Sequence, residues 1–481
     1  MPQVLDTLII VAYFAVIVGA GIWGLRRARS AEDFLVAGRR LGPVMYVGTL
    51  SAVVLGGAST IGGVGLGYQY GISGMWLVFM IGLGVMALGV LMSTRLSRLG
   101  VVTVSQALEQ RYGPAARLTS AVVMAAYALM VAVTSTIAIG SVFDVVLGVN
   151  ATLAIIIAGG IVVAYSVAGG MWSITLTDVI QFWVMTAGIF LALLPITVNR
   201  AGGLSGLQDS LPESYFDLGA IGGQTIVTYF LLYFFGMMIG QDIWQRLFTA
   251  RSPRVARWGT IAAGGYCVLY AIAGALIGAA AKALLPDLGN PDNAFAAVAA
   301  DVLPMGISGL VLAAALAAVM STASATLLAS STLLANDVYG ASFARGPYNR
   351  VAVNRIVLVL AGVATLVVSV LVSDVVGALT VAYDLLTGAL FVPIVGALFW
   401  RRATTAGAVS AIAVAGVVVV ILMAVRGLDS NDPIIYGMAV NLVVFVVVSL
   451  LTKPADPAAI AAWHRRLAGE PVPSADPEPS P

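Results

Sequence analysis

Ala317-Ala318-Val319-Met320-Ser321-Thr322-Ala323-Ser324-Ala325 places three hydroxyls in an otherwise apolar run. Ser321 and Thr322 are adjacent, and Ser324 lies one helical turn on, close to the face of Ser321. A small hard cation wants five or six oxygens, which hydroxyls and unwound backbone carbonyls supply without fixed negative charge. The competing reading is that these hydroxyls bond back to carbonyls of the preceding turn and only bend the helix. Carbonyls could come from Ser51–Gly67, which carries six glycines within 12 residues, among them Gly56 and Gly57. Such a segment can unwind, although tight helix crossing also uses glycine. A second break is expected where Gly236 and Gly240 precede Gln241-Asp242. Three carboxylates, Asp178, Asp242 and Asp384, complete the polar inventory of the apolar runs.

The elements that must position these groups follow from composition. The 481 residues are 60% hydrophobic and 10% charged, with mean hydropathy +1.01. A soluble domain would carry about 25% charged residues, so most of this surface meets lipid. That balance argues against a cytosolic enzyme, and the formal charge of +2 gives no reason to expect a nucleic-acid partner. One cysteine, Cys267, and one histidine, His464, leave neither an internal disulfide nor a His/Cys metal cluster.

Apolar segments fall at 5–25, 45–66, 74–97, 117–145, 151–168, 173–199, 223–246, 256–282, 304–336, 352–373, 376–400, 404–425 and 434–452. They do not alternate as barrel strands do, so an all-α integral membrane protein of thirteen spans is expected. With the N-terminus outside, all but three of the 24 basic residues (Arg200, Lys282 and Arg426) fall on the inner side. The reading is a multi-pass plasma (inner) membrane protein, with residues 1–452 as the transmembrane unit. Residues 453–481 form a proline-rich cytoplasmic tail that opens with a short interfacial helix through Trp463–Leu467. The second and seventh segments, five apart, would begin two inverted repeats spanning segments 2–6 and 7–11, with a site at the membrane midplane.

Each intramembrane acid costs about 2.5–3.5 kcal/mol at mid-bilayer, so each should face the bundle interior or water. Asp242 is read as paired with Arg246, four residues on. Asp178 stands where a cation entering or leaving could meet it. Asp384 has no local partner and is expected to contact a positively charged group of a solute. A solute resting against the broken segments would meet Gly56, Ser59, Tyr233, Gln241 and Asp384.

Four further pieces carry a resemblance. They are Asp33-Phe34-Leu35-Val36-Ala37-Gly38-Arg39, Thr103 through Gly113, Gly169-Gly170 with Thr177-Asp178-Val179-Ile180-Gln181, and Ser321-Thr322 leading to Asn336-Asp337-Val338-Tyr339. In this order and spacing the chain resembles the sodium:solute symporter family to about residue 452. The stretch Val54–Gly63, Gln245-Arg246 and Asp384-Leu385 look closest to its choline-transporting branch. The resemblance implies a LeuT-type inverted repeat and one coupling sodium between segments two and nine. Its ligands by position would be the carbonyls of Ala52, Leu55 and Ala318 and the hydroxyls of Ser321 and Thr322, with Asp178 on the ion's inner path. Members with a second sodium use hydroxyls where this chain has Val54 and Ala325.

The function expected is sodium-coupled secondary active transport of an amine, amino acid or other compact metabolite. An embedded enzyme lacks a nucleophile–base pair, a sensor lacks an output domain, and a passive channel could not accumulate solute.

Overall fold

The computed structural model describes residues 4–147, 150–344, 346, 349–372, 374–428 and 430–471. Its elements are helices, with no strand among the described residues; a lone bridge joins Leu41 to Ala250. Among the described residues, eleven helical runs are long and apolar enough to cross a membrane. The difference from the thirteen expected segments lies at two places. Segments 151–168 and 173–199 merge into one run, Ala151–Arg200, which at 1.5 Å per residue would be roughly 75 Å if straight, more than twice a bilayer core. It is not straight: Gly170, with φ 54 and ψ −139, breaks the helix. Only glycine holds that conformation easily, and a Cβ there would also stand 2.5 Å from the Phe34 carbonyl oxygen. The second difference is at segment 45–66, which is divided: Pro43–Val54 is too short to cross alone, and the remainder joins segment 74–97 in the run Ala58–Leu91.

That division is the expected break. Pro43–Val54 begins with proline in its first turn, where the missing N–H costs nothing. It stops at Leu55 (φ −94, ψ 65), and the chain restarts as a wide turn, Ala58–Gly62, leading into Gly63–Tyr70. The second break is also present. The helical run from Gly223 to Met237 ends before Gly240, and Gln241–Leu247 begins anew. The Trp244 indole N–H donates to the Met238 carbonyl, 2.8 Å away, satisfying a group freed by the break.

Burial separates the inner helices from the lipid-facing ones. Within Ile307–Ser342, 94% of the apolar window is buried, against 28% for Val4–Leu25. The latter buries Ile10, Tyr13, Ile17, Gly21 and Gly24, one stripe at helical spacing, and leaves Val11, Val16 and Ile22 exposed. Its Asp6 carboxylate accepts from the backbone N–H groups of Gly306 and Gly309, both at 2.8 Å. A carboxylate there satisfies donors the neighbouring helix cannot satisfy itself. Farther along, Tyr13 donates to the Met320 sulfur at 3.8 Å, so these two helices run in the same direction. At the other end of that central helix, Arg117 binds Asp337 and Glu109, both at 2.8 Å.

A helix is present where the tail was expected to open with one, at Pro457–Ala468, with Trp463 and Leu467 buried. The closing Pro-Glu-Pro-Ser-Pro lies outside the described residues, as does Arg345.

Candidate functional site

The break after Val54 frees carbonyls that a continuous helix would use, and the hydroxyls of the central helix meet them. Ser321 Oγ lies 2.7 Å from the Ala52 carbonyl oxygen and 2.8 Å from that of Ala318. Thr322 Oγ1 donates to the Val53 carbonyl at 2.7 Å. The approach depends on Gly56, where a Cβ would stand 2.6 Å from Thr322 Oγ1. Leu55 is less engaged; its carbonyl oxygen is 3.5 Å from Thr60 Oγ1. Of the five expected ligands, Ala52, Ala318 and Ser321 therefore converge, while Thr322 is joined to Val53, which the sequence reading did not include.

The donor set suits sodium. Ser321 Oγ has one proton and two carbonyl neighbours, so it satisfies only one of them. The other carbonyl faces an oxygen lone pair, an arrangement that a monovalent hard cation relieves. No group of three or more His, Cys, Asp or Glu side chains suited to a metal occurs among the described residues. The site is thus one of neutral oxygens, as hydroxyls and unwound carbonyls provide.

Asp178 lies close by, fully buried. Its Oδ2 accepts from Thr49 Oγ1 at 2.5 Å and from Arg246 Nη2 at 3.3 Å. Arg246 is as buried as its partner. The sequence paired Arg246 with Asp242, and the structure corrects this. Asp242 instead accepts from the Tyr127 hydroxyl at 3.1 Å. Helical proximity within one chain segment lost to a tertiary contact across segments.

A narrow cavity of about 20 Å³, with room for about one water, adjoins this cluster of oxygens. Gly56, Ser59, Thr134, Ser135, Asp242 and Tyr383 line it, and Thr322 lies between it and the Ala52–Ser321 cluster. Of the residues expected to meet a solute, Gly56 and Ser59 line this cavity. Tyr233, Gln241 and Asp384 are not among the cavity's lining residues. Gln241 is committed elsewhere: its Oε1 accepts from the Val104 N–H at 2.8 Å and its Nε2 donates to Val102. Tyr233 shares a hydrogen bond with Thr380 and packs edge-on against Tyr383, ring centroids 5.2 Å apart. Asp384 is buried, and neither of its oxygens has a hydrogen-bond partner among the described groups.

The sequence reading missed Asp242 as a cavity residue, together with Thr134 and Ser135. Their signal was present: Thr134-Ser135-Thr136 is a hydroxyl run inside an apolar segment. Other side chains tie distant segments of backbone together. Gln245 Nε2 donates to the Leu35 carbonyl at 2.8 Å, and Arg39 Nη2 to that of Val101 at 2.8 Å.

The model of the sodium:solute symporter family matches residues 34–415. The chain is 27% identical to the high-affinity proline transporter PutP of Bacillus subtilis, over 90% of this chain and 95% of that one. It is 27% identical to the sodium/pantothenate symporter of Escherichia coli, over 91% and 95%. With the high-affinity choline transporter 1 of Caenorhabditis elegans it shares 23% identity, over 86% and 77%. Among solved structures, a Na+-coupled sialic acid symporter superimposes with a TM-score of 0.84 at 18% identity, covering 94% of this chain and 99% of that one. That likeness shows the fold, the LeuT-type arrangement of helices. The chain belongs to the sodium:solute symporter family and is a sodium-coupled membrane transporter of a small solute, not an enzyme.

Proposed function

We propose that the protein imports a compact amine, amino acid or similar metabolite together with one sodium ion. The observation that carries this is the meeting of Ser321 and Thr322 with the carbonyls freed by the break after Val54. Sodium is held by the carbonyls of Ala52, Leu55 and Ala318 and the hydroxyls of Ser321 and Thr322. The positions of Val54 and Ala325 bring no hydroxyl for a second ion. Asp178 marks the inner path, where Arg246 competes with the ion for the carboxylate.

The solute rests against Gly56 and Ser59 in a conformation in which the adjoining cavity, here with room for about one water, has widened. Asp242, rather than Asp384, is the acid facing it, supported by its place in the cavity wall. Relatives named for choline, proline and pantothenate give the size class. Because Thr322 touches both sites, sodium that orders Thr322 also shapes the solute cavity. Coupling requires that both ligands favour the same conformation. A membrane potential of 100 mV contributes about 2.3 kcal/mol and a tenfold sodium gradient about 1.4 kcal/mol. One ion therefore sustains accumulation on the order of a few hundredfold.

The transport unit is residues 1–452, with the N-terminus outside and the tail from 453 in the cytoplasm of a plasma (inner) membrane, as the distribution of basic residues favours. The test is uptake of labelled choline, proline and pantothenate into proteoliposomes with sodium outside. Accumulation of any one above its external concentration, abolished when potassium replaces sodium, is the expected result. Equilibration without accumulation for a compound that does enter would overturn the reading.

A further inference from the structure

The helix Pro457–Ala468 docks against the ends of other helices and closes one side of a second cleft. Asp456 caps it, accepting from the Ala458 N–H at 3.0 Å. The buried Trp463 donates its indole N–H to the Ala397 carbonyl at 2.8 Å. The cleft, about 630 Å³, lies between this helix, the ends of Trp76–Leu91 and Val375–Phe399, and the first turns of Pro253–Leu284.

Its walls are cationic. Arg95, Arg98, Arg257 and His464 line the cleft, and no carboxylate does. None of the three arginines forms an ion pair among the described residues. They are instead held by other contacts. Arg95 lies 5.2 Å over the Phe399 ring, Arg98 donates to the Ala468 carbonyl at 2.7 Å, and Arg257 lies 5.6 Å over Trp258. Burial, together with the charges of Arg401, Arg111 and Arg95, holds His464 below its ordinary range.

The same cleft has an apolar flank. Val90, Leu91 and Phe399 line it and are 54%, 52% and 51% exposed. They end membrane-crossing helices, so the cationic floor sits where a span meets the headgroup layer. Unpaired arginines at such a rim suit a phosphodiester, whose oxygens accept bidentate guanidinium bonds.

We infer that this cleft binds an anionic phospholipid, its headgroup phosphate among Arg95, Arg98 and Arg257 and its acyl chains along Val90, Leu91 and Phe399. The lipid bridges the C-terminal helix to the transport unit and strengthens its docking. Neither the sodium site nor the solute cavity takes part, so the inference stands apart from the transport reading.

The experiment is thermal denaturation of the delipidated full-length protein in detergent, titrated with phosphatidylglycerol, phosphatidylcholine or inorganic phosphate. Phosphatidylglycerol should raise the melting temperature, and the other two should not. The triple change Arg95→Gln, Arg98→Gln and Arg257→Gln should weaken the phosphatidylglycerol response about tenfold or more in lipid concentration. If that variant does not fold, Arg257→Gln alone removes only the ring contact and should weaken the response severalfold. Equal stabilisation by phosphatidylcholine, stabilisation by free phosphate alone, or an unchanged response in a folded variant would each overturn the inference.

Discussion

Arg246 pairs with Asp178 across 3.3 Å rather than with Asp242, four residues along the same segment. Both partners are wholly buried, and Thr49 adds a second donor to the same carboxylate oxygen. Removing one member leaves an uncompensated charge, which costs about 3–5 kcal/mol. Asp178→Asn and Arg246→Gln should each lower the melting temperature markedly. The double variant should lose less than the sum of the two, because neither charge is then stranded. Additive losses would show that the two side chains do not interact.

Gly56 gives Thr322 its access to the unwound carbonyls. Gly56→Ala would place a methyl 2.6 Å from Thr322 Oγ1. Separation of the two segments would follow, and the sodium concentration for half-maximal stabilisation should rise about tenfold or more, a loss of about 1.4 kcal/mol. Thermal melts across a sodium titration read this directly, and an unshifted midpoint would contradict the close approach.

Gly170 is the bend on which the paired helices of Ala151–Arg200 depend. Gly170→Ala adds a side chain at φ 54, ψ −139, a backbone region that other residues rarely adopt, at about 1–3 kcal/mol, besides the clash with the Phe34 carbonyl. A clear fall in melting temperature is expected, with the sodium midpoint little changed.

The acids Asp242 and Asp384 should separate in transport. Asp242→Asn changes the cavity wall and should raise KM for a transported solute, most for a cationic one. Asp384→Asn should leave KM near the wild-type value. The opposite pattern would return Asp384 to the solute site.

Asp292, in the short turn Pro291–Asn293, is pushed up to about 6 by burial and by the Asp374 carboxylate. The folded protein therefore holds this proton more tightly than the unfolded chain does. Its contribution is fully present below about pH 4 and is lost as pH rises through about 6, on the order of 2 kcal/mol. Asp292→Asn should flatten that part of the stability profile and melt higher than wild type at neutral pH. A variant whose profile follows the wild type would remove Asp292 as the cause.

The sequence was most legible where backbone chemistry leaves a compositional mark. Glycines marked the breaks at Leu55 and Gly240, and the Ser321-Thr322 pair marked the helix that meets the first break. It was least legible where helix rotation or tertiary distance decides. Asp242 and Asp384 look alike as lone acids in apolar runs, yet only one reaches the cavity wall. Arg246 had a partner one turn away and took another 68 residues distant in the chain. The segment count differed because two runs each take in parts of two segments: Ala151–Arg200 passes through the break at Gly170, where the sequence marks a boundary, and Ala58–Leu91 joins the end of the broken segment to the next one.

The central proposal is that sodium binds between the broken segment after Val54 and the Ser321–Thr322 pair. The most direct measurement is the melting temperature of purified protein in sodium chloride against potassium chloride, for wild type and for Ser321→Ala with Thr322→Ala. Wild type should gain about 2.7 kcal/mol at sodium one hundredfold above its dissociation constant, and nothing from potassium. The double variant should fold and lose the sodium response at that concentration. A folded double variant that responds to sodium as wild type does would contradict the site.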